Sequence, residues 1–162
     1  MYKRQLQEGL ELRDAGIEAP VLILSALPNS EDLRHCLERR LMPTLSSLDE
    51  AHTAAAVAAG RGTERFPVQL KLDTGMARLG GQWQKGAQLV QSIRALPQLD
   101  LVGIYSHLAC ADEPGDQFTH VQLQRFRSVI EALPDGGSGL CCHLANSAGT
   151  LQDPRLHLDM VR

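Results

Sequence analysis

Lysine, aspartate and arginine surround a glycine turn in KLDTGMARLG, residues 71–80. Lys71 and Asp73 share one face of a strand through its two-residue period. Arg78, just beyond, can present a guanidinium fork to a carboxylate; by pattern alone it is equally a solvated turn residue. The segment 104–113 sets His107 at a strand end ahead of an acidic turn, where a histidine serves as a base or as a structural hydrogen-bonding group. In 142–150, His143, Asn146 and Ser147 stand where a short helix can begin. Free N–H groups and a serine hydroxyl there suit a phosphate, and simple N-capping accounts for the same residues. His107, Cys110, Cys141, Cys142 and His143 are zinc-ligand types. Adjacent ligands on a strand diverge, however, and the spacing is not that of closed structural sites, so no metal is expected.

The elements that position these residues alternate between two periods. Leu6, Leu10 and Ile17 mark a helical stripe over 5–15, ended by Gly16. Pro20 opens 21–24, a short apolar run fit for a strand buried on both faces. Asn29 and Ser30 offer N-caps to a helix over 31–39. The stretch 41–45 is a weaker strand because Pro43 cannot donate to a ladder. Ser47 caps an Ala-rich helix over 48–59, stopped by Gly60. In 67–73, Val68, Leu70 and Leu72 alternate against Gln69, Lys71 and Asp73, as in a strand. A glycine-punctuated turn (Gly75, Gly80, Gly81) and a helix through Ala95 follow. Then come a strand over 99–105, a helix over 118–133, a strand over 140–144 and a last strand candidate over 156–161. Strand and helix in strict alternation predict an α/β fold with a parallel sheet, doubly wound or a (β/α) barrel. Polar residues gather at strand C-terminal ends, which in a barrel is the active-site mouth.

The chain has 162 residues, enough for one domain, with 16 Lys+Arg against 19 Asp+Glu and a net charge of −3. That balance argues against a nucleic-acid partner. No apolar run approaches the ~20 residues of a membrane span. The first residues, Met1, Tyr2, Lys3, Arg4 and Gln5, lead into an amphipathic stretch rather than an apolar signal core. A soluble, cytoplasmic chain with reduced thiols at its 4 cysteines is expected. Aromatic residues make up 4%, so the core must be aliphatic. Neither GxGxxG nor GxxxxGK[ST] occurs, which removes the usual support for phosphate-loop nucleotide folds.

Together the words KLDTGMARLG (71–80), GIYSHLACADEP (103–114), QLQRFRSVI (122–130), HLANSAGTL (143–151) and HLDMVR (157–162) resemble the N-terminal barrel of bacterial alanine racemases. Weaker agreement over 8–24 extends the likeness to nearly the whole chain. The resemblance implies a partial (β/α)8 TIM-type barrel with about six of eight βα units. It also implies pyridoxal 5′-phosphate as cofactor, alanine as the small amino-acid substrate, D-alanine supply for peptidoglycan and a homodimer. By the same resemblance, Arg78 orients the substrate carboxylate, and Lys71 matches a lysine often carbamylated in the family. Arg162 bonds the pyridine nitrogen, His107 supports that arginine, His143 joins the network, and Asn146 and Ser147 belong to the cofactor-binding word, Ser147 as a phosphate contact. Where family members commonly carry glycine, this chain has Ala77. The family's cofactor lysine lies in a word like VKANAYGHG, and its second base is a tyrosine of a C-terminal β-domain. Neither stretch occurs in these residues, so the chain resembles an incomplete barrel domain over 1–162. By itself it is expected to be inactive as a racemase; the competing reading is a non-catalytic binding or interaction protein.

Overall fold

The computed structural model describes residues 3–27, 29–60, 65–113 and 115–162; Met1, Tyr2 and Pro114, named above, lie outside them. Helix α1 (Lys3–Asp14) ends before Gly16, whose φ of 81° closes the turn into strand β1 (Val21–Ile23). Helix α2 (Ser30–Glu38) is capped by the Asn29 side chain, which accepts from Asp32 N at 2.8 Å. After strand β2 (Leu41–Leu45), Ser47 Oγ accepts from Glu50 N at 3.2 Å and starts helix α3 (Leu48–Ala59). Both first turns carry acidic residues, favourable beside the positive helix end.

The second half follows with β3 (Phe66–Asp73), β4 (Gly81–Gln82), α4 (Gly86–Arg94), β5 (Leu99–Tyr105), α5 (Phe118–Glu131), β6 (Cys141–His143) and α6 (Ser147–Gln152). Sheet order is β1-β2-β3-β5-β6 with every pairing parallel, and β4 pairs with β3 off this path. The result is a curled, parallel half-barrel wrapped by helices, the class that alternation predicts. Alternate strand residues explain both faces: Leu70, Leu72, Ile104 and Cys142 are buried in the apolar cluster with Leu33, Ala54, Val90, Ile93, Phe126 and Val129 of the helices. Gln69, Lys71, Tyr105 and His143 take the opposite, inward face.

Two expectations need correction. Strand β1 is only half-buried at Val21 and Leu22, since it forms one edge of the sheet among the described residues. No strand runs over 156–161. Pro154–Leu156 forms a 3-10 turn, Leu158 takes a φ of 49°, and one parallel bridge joins Met160 to His143. The Asp159 carboxylate accepts from Cys142 N at 2.8 Å, so a side chain replaces the ladder bond that a strand would make there.

Candidate active site at the carboxyl ends of the strands

Lys71, Tyr105 and His143 are register partners across β3, β5 and β6, and so form one row. A register shift between Val68 and Gln69 sets this row: Val68 pairs with Leu101 but Gln69 with Gly103. Bulges of this kind re-aim side chains. The Tyr105 and His143 rings stack with centroids 4.6 Å apart and planes 5° apart, and Lys71 Nζ lies 5.5 Å from the Tyr105 centroid. Thr44 Oγ1 donates its single proton to Ile23 O at 2.7 Å, so the Tyr105 hydroxyl, 2.8 Å away, donates to Thr44. Burial pushes the Tyr105 phenol up to about 12, which keeps it protonated at neutral pH.

Gln69 on β3 reaches His143 on β6 by crossing β5 at a glycine. A Cβ on Gly103 would stand 2.7 Å from Cys141 O and 3.0 Å from Gln69 Cδ. His143 Nε2 lies 2.8 Å from Gln69 Oε1, and because that oxygen only accepts, the ring nitrogen donates. Burial first, then the Arg162 charge, lowers His143 to about 4.

The C-terminal residues run beside β6, with Arg162 N donating to Ala145 O at 3.1 Å. The Arg162 guanidinium turns inward, and its Nη2 stands 3.1 Å from His107 Nδ1. Guanidinium only donates, so Nδ1 accepts and His107 is neutral. Burial, then Arg162, Lys71 and Arg78, hold His107 down to about 4. The same surroundings lower Lys71: burial leads, Arg78 and Arg162 add to it, and Asp73 opposes.

Asp73 turns away from Lys71. Its Oδ1 accepts from Gly75 N at 2.9 Å and Ala77 N at 3.0 Å, shaping the loop that carries Arg78 to the rim. In that loop Ala77 has a φ of 54°, the left-handed region that glycine occupies without a Cβ penalty. Ala77→Gly is therefore expected to stabilise the chain by about 0.5–1 kcal/mol, the left-handed penalty less the backbone entropy of glycine. Urea unfolding of the two proteins checks this, and an equal or lower midpoint for the variant contradicts it.

Lys71, Arg78, His107, His143 and Arg162 all line one cavity of about 270 Å³, with Leu24, Ser25, Tyr105, Ser106, Leu144 and Ala145 among the other walls. Arg78 and Arg162, far apart in sequence, line the same cavity, and both charges bear on Lys71 and His107. Asn146 and Ser147 do not line the cavity: Asn146 Oδ1 accepts from Gly149 N at 2.9 Å as the cap of α6, and Ser147 is exposed in its first turn. Sequence reasoning missed Tyr105, Gln69 and Thr44, although Gln69 stands two residues before Lys71 and must share its face. Among the described residues no group of three or more His, Cys, Asp or Glu is placed to hold a metal ion, and burial raises the Cys142 thiol to about 11.

The family model described as "Alanine racemase, N-terminal domain" matches residues 3–162. The chain belongs to the alanine racemase N-terminal domain family. It is 47% identical over 161 residues to the alanine racemase of Prochlorococcus marinus, covering 97% of this chain and 42% of the relative. It is 43% identical over 157 residues to that of Nostoc sp., covering 96% and 41%. The solved alanine racemase of Clostridium difficile superposes with a TM-score of 0.91 at 31% identity, over 98% of this chain and 41% of that one. The chain thus spans about two-fifths of the length of the relatives it matches. No helix among the described residues is long and apolar enough to cross a membrane.

Proposed function

We propose that this chain forms the part of an alanine racemase site that grips the amino-acid carboxylate and the ring of pyridoxal 5′-phosphate. The observation that supports it is the sign of the cavity: the guanidiniums of Arg78 and Arg162, which stay charged, line it, with no Asp or Glu on its walls among the described residues. The cofactor carries a phosphate and the substrate a carboxylate, and this donor set fits both groups. Arg78 at the rim presents its fork to the substrate carboxylate. Arg162 directs an N–H toward the pyridine nitrogen and, donating only, brings no proton that the ring can keep. His107 holds that guanidinium from behind, while the stacked Tyr105 and His143 close the floor. Ser147, exposed two residues past the cavity residue Ala145, would meet the phosphate just outside the cavity; Asn146 fixes the turn that presents it. The depressed Lys71 holds more free amine than an exposed lysine, the form that adds carbon dioxide to give a carbamate and a released proton. When bound, the cofactor supplies the electron sink that acidifies the substrate α-proton.

Racemisation needs a base on each face of the α-carbon. The lysine and tyrosine that serve the family in this way match no residue of this chain, so the activity belongs to a longer assembly. The homodimer, cytoplasmic location and D-alanine supply follow from the same reading.

A chimera tests it: the 162 residues replace the matching segment of the Prochlorococcus marinus relative. The chimera is expected to racemise L-alanine. Its Arg78→Ala form should lose roughly 10- to 100-fold in kcat/KM, as for a lost charged hydrogen bond. The 162-residue chain alone is expected not to exceed a heat-killed control. A folded chimera that binds the cofactor without racemising alanine overturns the assignment in favour of a binding protein.

A further inference from the structure

Gln122 is fully buried on the inner stripe of α5, beside Thr119, Leu123, Phe126 and Val129. Every polar atom of its amide is engaged. Nε2 donates to Thr74 Oγ1 at 3.0 Å and to His107 O at 2.9 Å, and Oε1 accepts from Ala109 N at 2.8 Å. Thr74 Oγ1 in turn lies 2.8 Å from Ser106 Oγ. One side chain thus joins the loop that leads from Lys71 to Arg78 with the loop that carries His107. These loops follow different strands, β3 and β5, whose paired register ends at Lys71 and Tyr105, just before the loops begin.

We propose that Gln122 is a positioning residue, whose carboxamide sets the spacing between the Arg78 loop and the His107–Arg162 pair. It touches neither the cavity nor anything bound there, and acts through the backbone at 107 and 109 and the hydroxyl at 74. Only the expected effect on turnover rests on the racemase reading; the placement of His107 does not. With the clamp intact, His107 is held half-buried, where Arg162, Lys71 and Arg78 also bear on it. With the clamp removed, the His107 loop is free to move toward water and away from those cations.

The test uses two variants. Gln122→Met fills a similar volume and removes all three bonds. Gln122→Glu keeps the acceptor for Ala109 N but replaces the donors to Thr74 and His107 O. Titration of 15N-labelled histidines in the 162-residue chain is expected to show the His107 midpoint rising by at least half a pH unit in Gln122→Met, with His35 and His52 unmoved. A smaller rise is expected in Gln122→Glu. In the chimera, Gln122→Met is expected to lower kcat at least tenfold, since small misplacements of positioned groups carry penalties of up to about 10²-fold. A chimera inactive with the parent sequence removes the racemase reading but leaves the His107 measurement decisive. Wild-type His107 midpoints in folded variants overturn the proposal. Loss of fold in both variants overturns it as well, because Gln122 would then serve the core rather than the site.

Discussion

Arg162→Ala in the chimera is expected to lower racemisation at least a hundredfold, and to raise His107 and His143 in the 162-residue chain. The first effect follows from a guanidinium that reaches, beside His107, a cavity whose described walls carry no carboxylate to neutralise it. Removing one preorganised donor from such a site typically lowers turnover about 10²–10³-fold. The second follows from the neighbours: the Arg162 charge bears on His107, His143, Lys71 and Tyr105 alike. Burial comes first among the causes for each, so both histidines should rise only part of the way from about 4 toward their usual range. Arg162→Lys discriminates charge from geometry. It keeps a cation near both histidines but loses the planar fork that faces His107 Nδ1. It should leave His143 close to its parent value while still lowering turnover. Unchanged histidine titrations in Arg162→Ala would mean that the guanidinium does not govern the site's protonation.

The strand at 66–73 is legible because its period-two pattern is unbroken: leucines and Val68 face the helices, while Gln69 and Lys71 face inward. Asn29 and Ser47 are legible for a similar reason, since a capping side chain acts on a backbone N–H only three residues away. The row of Lys71, Tyr105 and His143 is not legible. It depends on one extra residue in β5 opposite the Val68/Gln69 step, and register between strands leaves no mark in either strand alone. The C-terminal segment misleads because Leu156, Leu158 and Met160 alternate as in a strand. There the Asp159 carboxylate captures Cys142 N, and a bond 17 residues long in sequence overrides local pattern. Gln122 was hidden by distance, its amide reaching Thr74 across 48 residues. A glutamine on the stripe that carries Leu123, Phe126 and Val129 is nonetheless a signal, because a buried amide must find partners.

Acid is expected to weaken the fold through His143. His143 is 4% exposed and lies within reach of the Arg162 charge, and both disfavour the protonated ring. In the folded chain its pKa lies at about 4 against 6.5 for the free group, so between those values the unfolded chain binds more protons. Stability therefore rises with pH through this window: the contribution is fully present above about pH 6.5 and is lost as pH falls toward 4. At 1.36 kcal/mol per pH unit, the loss from this residue reaches about 3 kcal/mol by pH 4. Carboxylates titrate near the lower end of the same range, so the decisive measurement is a comparison. Urea unfolding free energies of the parent and of His143→Gln, taken at half-unit steps from pH 7 to pH 4, should converge as the pH falls. The variant carries no titrating group at this position, and its curve should lie flatter above pH 5, where most carboxylates remain ionised. Parallel curves would place the protonation of His143 outside the folding equilibrium.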